Sequence, residues 1–213
     1  YVKFAGFYWR IIRVNGDGSL RIMYDGTQAY ANGANSSNRF IKTGQAYNSS
    51  YYDNKYVGWM YGPAGTSYST SKEQAQTNTA DSDIKGVVDA WYKTNIADKG
   101  YGNAVSDTIF CNDRSTPGKE VTGWSDDTGL GYGKNATAYG AKARIVLGFS
   151  GPSFRCFQKN DAFTVNDTNK GNGALTYPIG LITIDEIVAA GVGMDGTANT
   201  SYYLYNPSAW SWS

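Results

Sequence analysis

Thr176-Tyr-Pro-Ile-Gly-Leu-Ile-Thr-Ile-Asp-Glu-Ile-Val-Ala-Ala-Gly191 decides how this chain is read. The stretch reads as a strand feeding a short helix that stops at a glycine. Thr183 can accept from the backbone N–H of Glu186, and Glu186 can reach back to the N–H of Thr183, which is a capping box. Ile184, Ile187 and Val188 supply an apolar face, and Gly191 suits the end of the helix. Around it, most of the chain reads as strands and loops.

Working outward, Asp81 to Ile96 is the strongest helical pattern. Asp81 or Ser82 can cap it, and Ile84, Val87, Val88, Trp91 and Tyr92 recur at helical spacing. Gly100 follows it. Gly86, a poor helix former, suggests that another backbone packs close there. Residues 1–25 read as a hairpin: Val2, Phe4, Phe7, Trp9, Ile11 and Val14 form a mostly alternating strand with a bend or bulge at Gly6. Asn15-Gly16-Asp17-Gly18 is the turn, and Leu20, Ile22 and Tyr24 the return strand. Phe40 and Ile41 suggest a short strand, residues 105–112 an extended segment and Ala136 to Val146 a further helix. Asn166 to Gly173 is a turn cluster.

Composition narrows the function. The chain has 213 residues, with 19 Lys+Arg, 18 Asp+Glu and no histidine. A net charge of +1 gives no field to recruit nucleic acid. Without histidine, Ser-His-Asp, Cys-His and His-zinc chemistry are excluded within one chain. Low charge with 18 Tyr, 6 Trp and 26 Gly is the make-up of a β-rich domain displayed at a cell surface or secreted. No apolar run is long enough to span a bilayer. Cys111 and Cys156 are expected to form one disulfide.

Candidate site residues are few. Asp126 and Asp127, in a Gly-rich loop, are the best calcium ligands; Asn15 and Asp17 lack a closing Glu. No other cofactor is expected. Asp81, Asp83, Asp185 and Glu186 fall at helix starts, where solvated carboxylates suit the helix dipole. Tyr203, Tyr205, Trp210 and Trp212 alternate, which places each pair on one face of a strand; such rings bury in a sheet or stack on sugars. Asn35, Asn48, Asn135, Asn166 and Asn199 head Asn-x-Ser/Thr sequons expected by chance in a chain this rich in Asn, Ser and Thr.

Three blocks carry a resemblance: residues 7–26, residues 110–114 with 156–161, and residues 175–186 followed by 201–205 and 209–212. They resemble an uncharacterised group of surface proteins from gut Firmicutes and their wall-less relatives. That group is distantly similar to the formylglycine-generating-enzyme branch of the C-type lectin fold. The resemblance implies one α+β, C-type-lectin-like domain over residues 1–213, with twisted antiparallel sheets, two or three short helices and long loops. Leu181, Thr183 and Glu186 would match its helix start, and Trp210 and Trp212 its Trp-rich strand. Relatives continue through further strands beyond the position of Ser213, so a second chain or absent strands would complete the sheet. The oxidase chemistry of that branch does not carry over, because Cys111 and Cys156 lie outside its cysteine motif.

The expectation is therefore a non-enzymatic, extracellular bacterial surface module. It binds other copies of itself or other surface proteins, as a fibre or pilus-like subunit or adhesin. The alternative is a lectin-like glycan-binding domain. A second alternative is a hydrolase built on paired carboxylates such as Asp126 or Glu186.

Overall fold

The structure is a computed structural model that describes residues 1–48, 61–62, 71–114, 145, 151–156, 158–190 and 199–201. It is a mixed architecture of small antiparallel sheets and a few short helices. The largest sheet has the order β1 (Val2–Phe4), β2 (Phe7–Val14), β3 (Leu20–Tyr24). Two smaller sheets pair β4 (Tyr61–Gly62) with β5 (Ala80–Asp81), and β6 (Phe110–Cys111) with β7 (Ala162–Phe163). The α-helical segments longer than one residue among the described residues are α1 (Lys72–Ala75), α2 (Asp83–Tyr92) and α3 (Ile184–Ala189).

Gly6 does more than bend a strand. Ala5 and Gly6 both have positive φ, 52° and 84°, and Phe4 faces Phe7 across the ladder. This is a two-residue hairpin, for which a primed turn matches the strand twist. The expected single strand is therefore two. Asn15 to Ser19 closes the next hairpin as read, and the register shifts between Ile11 and Arg13, which marks a bulge.

The helix expected from Asp81 begins two residues later, because Asp81 is held in β5 opposite Tyr61. Ser82 is the cap, accepting from the Lys85 N–H at 3.2 Å. After Tyr92 the helix widens into a π-turn over Lys93–Ala97 and ends at Gly100, whose φ is +79°. A Cβ on Gly86 would meet nothing within 4 Å, so no backbone among the described residues packs against it. Phe40 ends a short 3-10 turn rather than forming a strand, and only residues 110–111 of the 105–112 segment pair in a ladder.

The capping box at α3 is present: Thr183 Oγ1 accepts from Glu186 N at 3.2 Å, and Glu186 Oε2 accepts from Thr183 N at 3.0 Å. The strand expected before it is not. Pro178 has no N–H, and the Ile179 N–H turns back to Tyr177 O at 2.8 Å, so the segment cannot enter a ladder. Its apolar residues serve packing instead. Ile179 touches both apolar clusters, one around Tyr61, Val88, Phe110, Phe163 and Leu175, the other around Trp9, Tyr92 and Ile96. Trp91 of α2 meets Phe7, Trp9 and Tyr24 with ring centroids 5.1–6.1 Å apart, which seats the helix on the first sheet. The 136–146 helix lies outside the described residues except for buried Ile145, which is helical.

Cys111 and Cys156 are disulfide-bonded, with Cα atoms 5.5 Å apart and a separation of 45 residues. Beside the bond, Arg114 and Asp161 form an ion pair at 2.9 Å, 0% and 1% exposed. Removing one partner of such a buried pair strands a charge. Arg114→Met should therefore lower the free energy of unfolding in urea by about 3–5 kcal/mol. Replacing both cysteines by serine should cost about 3–5 kcal/mol in the same measurement.

Candidate functional site

A polar groove runs between the β2–β3 hairpin and the disulfide-linked segments, with a volume of about 860 Å³. Its walls come from residues 106–113, 153–156 and 181–186 and from parts of the 158–170 segment. The disulfide and the β6–β7 pair hold two of these walls together. The capping box sets the third, because it aims the first turn of α3 at the hairpin.

Glu186 is the electrostatic centre of that wall. It is 5% exposed, and its Oε1 lies 3.3 Å from both Arg13 Nη1 and Arg21 Nε. Arg21 in turn lies over the Phe110 ring, with Cζ 4.1 Å from the centroid. Burial pushes the Arg21 pKa down, and Glu186 opposes that shift. Asp185 is 7% exposed and accepts from the Ser153 N–H at 2.7 Å. The expectation of solvated carboxylates at this helix start is therefore wrong. Strands β2 and β3 bring two arginines to Glu186, while Asp185 is held by the Ser153 N–H. At α2 the expectation holds, since Asp81 and Asp83 are exposed.

The other acidic groups of the groove are also committed. Asp107 accepts from the backbone N–H groups of Val165, Asn166 and Asp167 at 2.7–2.9 Å. Burial works against its charge, yet these three bonds win and hold its carboxyl below the usual value. Asp167 accepts from the N–H groups of Asn169 and Lys170. Asp17 accepts from the Ser19 N–H and hydroxyl, while Asn15 bonds Arg13 and Ser19, so this turn satisfies itself rather than presenting a calcium loop. Among the described residues no group of three or more His, Cys, Asp or Glu is placed to hold a metal ion.

At the groove Phe154 is 58% exposed, with the Arg13 Cζ 5.1 Å from its ring centroid. Neither residue was singled out from sequence, where Phe154 sits in a Gly/Pro/Ser context with no periodicity. Of the expected site residues, Cys111 and Cys156 come together in this groove. Tyr203, Tyr205, Trp210, Trp212, Asp126 and Asp127 lie outside the described residues.

A second, mainly apolar cleft of about 1060 Å³ lies between the first sheet, α2 and the 33–47 segment. Trp9, Tyr92 and Ile96 line it, so it is continuous with one apolar cluster. Comparison with protein-family models, with curated proteins and with solved structures finds no match to this chain.

The depressed Asp107 pKa fixes a sign. An ionised, hydrogen-bonded Asp107 contributes stability that is fully present above about pH 4, the unfolded value, and lost as pH falls through the lower folded value. Urea unfolding between about pH 2 and 6 should therefore show a steeper acid loss in the wild type than in Asp107→Asn.

Proposed function

We propose that this chain is a non-enzymatic extracellular surface module that works by associating with copies of itself. The observation that carries this reading is the state of the first sheet. Among the described residues no strand pairs with the outer edge of β1 or β3. At the far end of the hairpin, Val14 and Leu20 face each other across the ladder while 66% and 42% exposed, with Ile11 also 42% exposed. An unpaired edge beside exposed apolar side chains is a template for another chain.

The disulfide supports an extracellular location, since such bonds persist where the surroundings oxidise. Among the described residues no helix is long and apolar enough to cross a membrane. Small antiparallel sheets and a capped helix at Thr183 fit the lectin-like and bacterial surface-protein resemblance, which supports display outside the cell as a fibre subunit or adhesin. The buried carboxylates Asp25, Asp161 and Glu186 are all paired with arginines, which leaves them ill placed as acid or base and weighs against a hydrolase. A second reading, a lectin-like glycan binder, is favoured by the exposed Phe154 ring at the polar groove.

Sedimentation velocity over increasing protein concentration tests the association. The wild type should shift to larger species, and the double variant Val14→Lys, Leu20→Lys should weaken that shift about tenfold through lost apolar burial and added charge. A wild type that stays monomeric at high concentration and forms no fibres under the electron microscope would end this reading.

A further inference from the structure

The apolar cleft of about 1060 Å³ runs along an open edge of the first sheet. Arg21, Ile22, Met23 and Tyr24 of β3 all line it, as does Asp25. Successive residues of a strand point to opposite faces, so a space that touches all of them lies at the strand's edge. Asp25 donates to Tyr8 O of β2 at 2.9 Å, and by alternation Ile22 and Tyr24 turn their N–H and C=O groups away from β2. Among the described residues nothing pairs with those groups. Residues 39–47 form the facing wall, and among the described residues no backbone–backbone bond reaches residues 41–45. Trp9, Val88, Tyr92 and Ile96 line the apolar floor.

These features define what fits. Arg21 and Arg39 are paired with Glu186 and Asp25, so neither is free for an anionic head group. An apolar small molecule would meet the floor but leave the β3 edge unanswered. A single extended peptide meets both: its backbone pairs with Ile22 and Tyr24, and alternate side chains reach the floor.

This chain carries such a segment, and it starts beside the cleft. Ser201 O accepts from Asn32 Nδ2 at 3.1 Å. Asn32 is held by Arg10 Nη1 at 2.8 Å and adjoins Gly33 of the cleft lining. Residues 202–213 follow, outside the described residues, and extended they would span about 40 Å at ~3.3 Å per residue, well beyond the reach of the β3 edge. Their sequence alternates rings at Tyr203 and Tyr205 and again at Trp210 and Trp212, the pattern of a strand with one buried face. Pro207 divides the two pairs, which leaves 209–212 as a short strand on a link that can reach a neighbour.

We propose that the cleft receives residues 209–212 of a neighbouring copy as a strand added to β3, with Trp210 and Trp212 turned toward Trp9, Tyr92 and Ile96. Each copy then gives one strand and takes one, a head-to-tail contact that can extend into a fibre. The inference rests on the self-association reading and names the site through which it works.

The test uses the full chain with Trp210 replaced by the photo-cross-linker p-benzoylphenylalanine. Heavy-isotope and ordinary protein are mixed dilute, concentrated together and irradiated. Peptide mapping should find cross-links between heavy and light chains, running from position 210 to residues 21–25, 39–47 or the α2 floor. In sedimentation velocity, the double variant Trp210→Lys, Trp212→Lys should weaken association about tenfold through lost apolar burial. Cross-links confined to chains of one isotope would show each segment in its own cleft, and cross-links only to other parts of the surface would place it away from β3. Either result, or unchanged association in the double variant, would overturn the inference. If the wild type still associates and Val14→Lys, Leu20→Lys still weakens it, the self-association reading stands without this site.

Discussion

Arg114 is fully buried, and every part of its guanidinium is answered. Nε bonds Asp161 Oδ1 at 2.9 Å, Nη1 reaches Thr77 O at 3.1 Å and Asn78 Oδ1 at 2.9 Å, and Nη2 bonds Asn160 O at 2.8 Å. The Phe163 ring lies 5.1 Å from its Cζ. Taking an ion pair out of water costs several kcal/mol per ion, so such a pair survives only when geometry and further hydrogen bonds offset that cost. Burial pushes the Asp161 carboxyl up, and Arg114 pulls against it. One side chain thereby fixes residues 75–78, 110–114 and 158–163 with respect to each other. The disulfide from Cys111 to Cys156 closes the same junction covalently, and the polar groove is built on it.

The same device recurs. Asp25, 1% exposed, accepts from Arg10 at 2.8 Å, Arg39 at 2.6 Å and the Tyr1 hydroxyl, which ties the hairpin to the 30–39 segment. Lys85, 0% exposed, pairs with Asp81 and Asp89 and sits 4.7 Å from the Tyr61 ring centroid. Glu186 joins α3 to β2 and β3. Only 17% of the chain is charged, and a good part of that charge is spent inside, holding short elements in place. Strands of two or three residues cannot define a fold by ladder hydrogen bonds alone.

Local features were readable from residues alone. The capping box at Thr183 and Glu186, the Ser82 cap, the Gly100 stop and the Asn15–Gly18 turn each depend on neighbours within a few positions. The Ala5–Gly6 turn also left a signal, because the apolar alternation slips by one position across it, from Val2 and Phe4 to Phe7, Trp9 and Ile11. Lys85 also left a signal, with Asp four residues away on both sides. Pro178 was the warning against a strand before α3, since it removes the donor a ladder would need.

By itself, the sequence determined caps, turns, the apolar face of α2 and the pairing of two cysteines, because each is set by short-range geometry or by there being one partner to choose. Only the tertiary structure decided that Glu186 meets Arg13 and Arg21, and that Arg114 meets Asp161. Those contacts join positions 47 or more residues apart, and nothing in local pattern says which charge will be carried inside.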